Sequence, residues 1–334
     1  MFFGSGDMRM KRILFTAAIV LAVWDCSKGQ ALRSWPGNLP AYDHIVIVVE
    51  ENKYYDEVIG SGNAPYINRV LRAQGANLLR MYAEEHNSEG NYFWMFSGSN
   101  QSVGFNDSTP SESNNGGYPF RTGNLGEQLL KKGLTFKGYS EDLPSPGSTI
   151  SRSGHYARKH VPWISFANLP QEGDSSVNLQ FAQFPSDFDS LPTVCFVIPN
   201  LVDDMHDPAL RVGESVKNGD EWLRRNVDAY YRWARTHNSL LIVTFDENGD
   251  RSGYLGLTNP ASALKDVKNR IPTILAGAHI NHGAYREGRG VTHVNILRTI
   301  EAMYGLNPSG DQQPNARKFG IPSDFIITNI FTSR

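Results

Sequence analysis

The chain has 334 residues, 40% of them apolar and 20% charged, with a formal net charge of −2. That length suffices for one large domain or two small ones with a packed core. The near-neutral balance excludes the basic footprint of a polyanion binder, so nucleic acid is not expected as a partner.

In chain order, the first feature is "MRMKR" (8–12) running into "ILFTAAIVLAVW" (13–24), a basic and then an apolar region as in a secretory signal. "GQA" (29–31) has small residues at the outer positions that a signal peptidase reads, so 1–31 is expected to be a signal peptide. The protein is then exported, to the periplasm or beyond. The apolar run is short for a membrane span, and a buried N-terminal helix is the alternative. Asp25 before Cys26 argues against a lipoprotein anchor. Cleavage after Ala31 leaves Cys195 as the one cysteine, with no internal disulfide.

Residues 32–334 read as a single domain. Four apolar runs rich in β-branched residues are expected strands: "HIVIVVE" (44–50), "TVCFVIP" (193–199), "LLIVTF" (240–245) and "IPTILAG" (271–277). Near-continuous apolarity marks strands buried on both faces. Helical segments are expected over 64–75, 124–133, 219–236 and 292–305, with Gly75, Gly133 and Gly305 as terminators. The alternation predicts an α/β fold, a mainly parallel central sheet with helices on both faces. The polar, glycine-rich stretch 106–117 reads as a loop.

In such sheets ligands bind beyond the carboxyl ends of the strands. The first run ends in Glu50, Glu51 and Asn52. The second is followed by Asn200, Asp203, Asp204, His206 and Asp207. The third ends in Asp246, Glu247 and Asn248, and the fourth leads to His279 and His282. Capping explains any one of these endings; four on one edge point to a site. Adjacent buried carboxylates repel unless a cation lies between them. Glu51, Asn52, Asp246 and Glu247 offer oxygen ligands suited to Mg, Mn or Ca, while His206 or His293 in the set turns the choice toward Zn or Fe. His44, His155 and His237 are assigned structural roles. Tyr92, Phe93 and Trp94 read as core helix, with a substrate wall as the alternative. No Walker loop, dinucleotide fingerprint or nucleophile elbow is present.

The segments "IVVEENKYYDEVIG", "EEHNSEGNYFWMFSGS", "YSEDLPSPG", "YARKHVPW", "PNLVDDMHD", "FDENG" and "THVNILRTIEAMYGL" occur in this order. Together they resemble the phosphoesterase family of bacterial acid phosphatases and phospholipases C, within the alkaline phosphatase superfamily. The resemblance implies an alkaline phosphatase-like fold and a divalent metal held by Glu51, Asn52, Asp246 and Glu247. It places His86, His206 and His293 at the phosphate or the metal, and leaves the role of His160 open. It also implies a Ser or Thr nucleophile at the start of a helix, which "NLGEQLLKKG" puts at Asn124 or at Thr122. Asparagine makes no alkoxide, so Thr122 attacks, or Asn124 is a ligand or helix cap and a water attacks, or catalysis has been lost. The expected activity is hydrolysis of small phosphomonoesters. Phospholipase C-type diester cleavage at a phospholipid surface is the alternative, and a non-catalytic secreted ligand-binding protein is the rival from another class.

Overall fold

Every residue of Ser239–Phe245 is buried, as are all of His44–Glu50 beyond the first. Strands buried on both faces belong inside a sheet covered by helices, and the computed structural model places them there. It describes Met1, Gly37 and residues 39–104, 107–206, 213–249, 269–286, 290–318 and 320–332. The expected signal segment, beyond Met1, and Asp207 lie outside the described residues. The chain divides into Met1–Arg33 and Ser34–Arg334, and the fold below is that of the second unit.

Among the described residues, the central sheet has eight strands: β1 (His44–Glu50), β2 (Ala76–Leu78), β3 (Phe136–Ser140), β4 (Asn178–Gln180), β5 (Val194–Ile198), β6 (Ser239–Phe245), β7 (Thr273–Gly277) and β8 (Gly283–Tyr285). Their spatial order is β8, β2, β7, β6, β1, β5, β3, β4. β1 lies parallel to β5 and β6, and β3 lies parallel to β4 and β5. β7 runs against both of its neighbours. The mainly parallel sheet expected from the sequence is therefore observed, with one reversal that matters. The end of β7 points away from the ends of β1, β5 and β6, so His279 and His282 do not join the site edge. His279 instead lies 6.0 Å from the ring of Tyr42, ahead of β1.

Five helices matter here: α1 (Ser88–Ser97), α2 (Leu125–Lys131), α3 (Glu214–Asn226), α4 (Asp228–Ala234) and α5 (His293–Met303). Side chains alternate along a strand, so Phe136 and Tyr139 of β3 face opposite sides. Phe136 and Phe196 meet Phe96 of α1, which packs beside α5. Tyr139 meets Phe184, and the neighbouring Phe181 and Phe188 meet Trp222 of α3 and Tyr230 of α4. Helices thus cover both faces.

Two expected helices differ. The 219–236 segment breaks at Val227, where φ is −118° and ψ −23°. The 64–75 segment is a π turn, Ile67–Leu71, followed by Arg72–Gln74. Gly75 ends it with extended backbone, not in the left-handed conformation of Gly133 and Gly305. A Cβ at Gly75 would fall 2.7 Å from the carbonyl oxygens of Leu71 and Leu275, so glycine lets the chain lie against β7.

Candidate active site

β1 and β6 are neighbours in register, and their ends deliver Glu51, Asn52, Asp246 and Glu247 to one point. The Asn52 backbone N–H donates to Asp246 Oδ1 at 3.1 Å. One end of the Asn52 amide lies 3.1 and 3.2 Å from the two Asp246 oxygens and 3.0 Å from Glu51 Oε2. Held as nitrogen, that end donates to all three. Held as oxygen, it joins them in a four-oxygen set that a cation reconciles. Ser88, first residue of α1, stands across the gap: its Oγ is 3.3 Å from Glu51 Oε2 and 3.3 Å from Glu247 Oε1. Tyr92, one turn along α1, donates to Glu51 Oε1 at 2.6 Å and stacks on His160.

These carboxylates are costly as they stand. Burial, and then repulsion from Asp246, push Glu51 well above the usual carboxylate range. Burial, and then Glu247, do the same to Asp246. A cation reverses both effects by giving each charge a partner, so the residues present fit a divalent metal. A second group overlaps the first. Glu51, His160 and Asp204, all buried, offer ligand atoms within 4.8 Å of one another. His160 Nε2 is 3.2 Å from Glu51 Oε1. Burial, then Lys159 and His206, hold the His160 imidazole neutral, the form that binds a metal.

Above this floor opens a cavity of about 470 Å³, lined by Asn52, His86, Ser88, Lys159, His206 and Glu247 among others. His86 bonds through Nδ1 to Glu247 Oε2, while its buried Nε2 has no partner among the described residues. Lys159 donates to Asp107 Oδ2 at 2.9 Å. Its burial favours loss of the proton, but Glu51 and Asp107 outweigh that and hold it charged.

The Phosphoesterase family matches residues 70–307. The chain belongs to that family. A phosphatidylinositol-3-phosphatase of Mycobacterium tuberculosis is 40% identical over 91% of this chain and 94% of its own length. A probable acid phosphatase of Kluyveromyces lactis is 25% identical over 87% of this chain and 65% of its own. In structure, a Vibrio parahaemolyticus protein of the alkaline phosphatase superfamily superposes with a TM-score of 0.56 at 13% identity, over 84% of this chain and 72% of that one. The fold is that of the superfamily, and the protein is a phosphoric ester hydrolase.

The geometry of this phosphoesterase fits the helix-cap alternative for Asn124 and sets Thr122 and His293 away from the cavity. Asn124 is the N-cap of α2, accepting from the Glu127 N–H at 2.9 Å and donating to Asn168 Oδ1 at 3.0 Å. Thr122 donates to Gln101 Oε1 at 3.0 Å. Neither lines the cavity. Ser88 is a serine at a helix start that does line the cavity, inside the quoted segment "EEHNSEGNY". His293, at the start of α5, lies under the sheet beside Ile47, Phe196 and Thr244. Its Nε2–H donates to the Phe245 carbonyl at 2.9 Å, and burial pushes its pKa down to about 4.

Asn269 escapes the sequence reading, Asp204 stands in it only as one residue of the second strand's exit, and His160 is left open there. Asp204 caps the turn after β5: its carbonyl accepts the Glu51 N–H at 2.7 Å, and its Oδ1 accepts the His206 N–H at 2.8 Å. Asn269 accepts from the Asn248 N–H at 3.2 Å and donates to the Glu85 carbonyl at 2.9 Å, tying the β6 exit to the segment before α1. His160 joins Glu51 as described. Its place in "YARKHVPW" was the available signal.

Proposed function

We propose that this phosphoesterase is a metal-dependent phosphomonoesterase of the acid phosphatase type, with Ser88 as its nucleophile. The observation that carries the reading is the Ser88 hydroxyl, in the first turn of α1 and 3.3 Å from a carboxylate oxygen on either side. The N–H groups at that helix start favour a phosphoryl group placed there. Glu51, Asn52, Asp246 and Glu247 would hold a divalent ion, which when bound would supply Lewis-acid polarisation and offset the carboxylate charge. Ser88 Oγ bonds to phosphorus as the ester P–O bond breaks, and the serine proton passes to a neighbouring carboxylate. His206, on the cavity wall, gives a proton to the departing alcohol oxygen. His86 Nε2, oriented by Glu247, holds a phosphoryl oxygen. Water then cleaves the phosphoserine and restores the hydroxyl.

The name of the Mycobacterium tuberculosis relative supports a phosphorylated inositol headgroup as substrate, and the Kluyveromyces lactis relative supports small phosphomonoesters. The basic and apolar run over 8–24 supports export. The non-catalytic rival rested on Asn124 as the expected nucleophile, and loses that basis because Asn124 is a helix cap.

The test is hydrolysis of p-nitrophenyl phosphate and its bis-ester, before and after chelation, with metals added back. Monoester turnover that chelation removes and a divalent metal restores is expected. Turnover of the bis-ester alone overturns the monoesterase reading in favour of diester cleavage, and turnover untouched by chelation overturns metal dependence.

A further inference from the structure

The main cavity does not end at Lys159. A second groove of about 250 Å³ shares Asp107, Lys159 and His206 with it and continues past Thr109, Ser151 and Arg152. Its wall is one short hairpin. Arg152–Ser153 pairs with Tyr156–Ala157, Arg152 standing opposite Ala157, and the return strand leads straight into Lys159 and His160. Arg158 clamps the base of the hairpin, donating to the Thr149 carbonyl at 3.2 Å, Tyr118 Oη at 3.2 Å and Ser165 Oγ at 3.3 Å. The position of Arg152 is thereby fixed to the same segment that carries His160 to Glu51.

The charges in the groove do not cancel. The Asp107 carboxylate is already engaged by Lys159 Nζ at 2.9 Å and the Glu89 N–H at 3.1 Å. Arg152 is exposed and has no ion-pair partner among the described residues. An exposed guanidinium beside two hydroxyl side chains, opening off a phosphate site, suits a planar, bidentate anion contact.

We infer that this side groove is a subsite for a second phosphoryl group, a phosphomonoester or phosphodiester carried by the same substrate, with Arg152 its main contact. The inference rests on reading the main cavity as a phosphomonoester site. It makes the preferred substrate one with two phosphorus centres, as in a phosphorylated lipid headgroup or a soluble polyol bisphosphate.

The experiment is calorimetric titration of the metal-loaded protein, wild type at position 152 or Arg152→Glu, both carrying Ser88→Ala so that the ligands are not hydrolysed, with orthophosphate, inositol 1,3-bisphosphate and a monomeric dihexanoyl phosphatidylinositol 3-phosphate. Wild type should bind a two-phosphorus ligand about 10-fold tighter than orthophosphate, and Arg152→Glu should remove that increment while leaving orthophosphate unchanged. Arg152→Ala should remove part of it. Loss with the bisphosphate alone assigns a free phosphate as the second group. Loss with the lipid assigns the diester as well. Equal weakening for all three ligands, or no wild-type preference for two phosphorus centres, overturns the subsite. Because binding is the readout, failure of p-nitrophenyl phosphate hydrolysis would remove the catalytic reading and leave a measured Arg152-dependent preference standing.

Discussion

The Ser88 hydroxyl oxygen lies 3.3 Å from Glu51 Oε2, joining the start of α1 to the end of β1. Glu247, from the end of β6, approaches the same oxygen at the same distance. Removing that oxygen deletes the proposed attacking atom while leaving the buried helix in place. Ser88→Ala should therefore lower kcat at least ~10³-fold, with an unchanged circular dichroism spectrum. Activity within tenfold of wild type would assign the attack to another group.

Asn124 and Thr122 give the complementary expectation. Asn124 accepts the Glu127 N–H at 2.9 Å as the cap of α2, and capping side chains contribute about 1 kcal/mol. Asn124→Ala should lower the midpoint of thermal unfolding and leave the kcat of the folded enzyme near wild type. Thr122→Ala should change kcat little. A large kcat loss in either would return the nucleophile to the segment ahead of α2.

Asp246 tests the cation. Without metal, burial and Glu247 make its charge unfavourable, so Asp246→Asn should raise the melting temperature of the metal-free protein. The wild type should gain about 2.7 kcal/mol at a metal concentration 100 times Kd, and the variant should gain little. Melts with and without each divalent ion measure both effects. A wild type that no divalent ion stabilises would remove the metal from this site.

Much of this was legible in the sequence for a physical reason. Strands buried on both faces cannot hide their apolarity, so β1, β5, β6 and β7 stand out. Short strands such as "FKGYS" of β3 and "NLQ" of β4 carry no such pattern, and their pairing is set by neighbours. Strand direction is a tertiary property, which is why the reversal of β7 and the removal of His279 and His282 from the site edge could not be read. The acidic pairs were legible because adjacent carboxylates after an apolar run are costly without a partner. Ser88 was hidden by its setting. Among the helix starts preceded by polar residues, "NLGEQLLKKG" has a clear helical pattern, whereas α1 is buried at all of its positions and shows no amphipathic face. His293 was legible as a histidine but not as a buried one, because its partner, the Phe245 carbonyl, is 48 residues away.

That burial makes His293 a pH-dependent liability. Its folded-state pKa is about 4, below the ordinary 6.5, so as pH falls from 6.5 toward 4 the unfolded chain takes up a proton first. Stability present above pH 6.5 is then lost by up to about 3 kcal/mol. Glu84 acts in the opposite sense. Burial pushes it up to about 7 from 4.5, and its Oε1 accepts the Val294 N–H of α5 at 3.3 Å. Its contribution is full below pH 4.5 and is lost as pH rises toward 7. His293→Gln should flatten the acid-side fall in urea stability, and Glu84→Gln the fall between pH 4.5 and 7. An unchanged profile in both variants would show that neither group titrates differently in the folded state.

Gly138 is held to glycine by contact and not by backbone angle. A Cβ there would lie 2.1 Å from Cε2 and Cζ2 of Trp163. The indole cannot retreat: it is fully buried, donates to Asn178 Oδ1 at 3.0 Å, and packs on Phe96, Phe136 and Phe196. Gly138→Ala should cost about 3 kcal/mol of unfolding free energy, since overpacking a close-packed core forces side chains off their rotamers. The strain also bears on the site. β3 continues into Glu141, which accepts the Asn200 N–H at 3.0 Å, in the turn that sets Asp204. The variant should lose some activity along with stability, and adding Trp163→Phe should recover part of both by making room for the methyl group. Denaturant melts and kcat of the two variants decide it. Full wild-type stability in Gly138→Ala would mean that the ring shifts freely and does not fix β3.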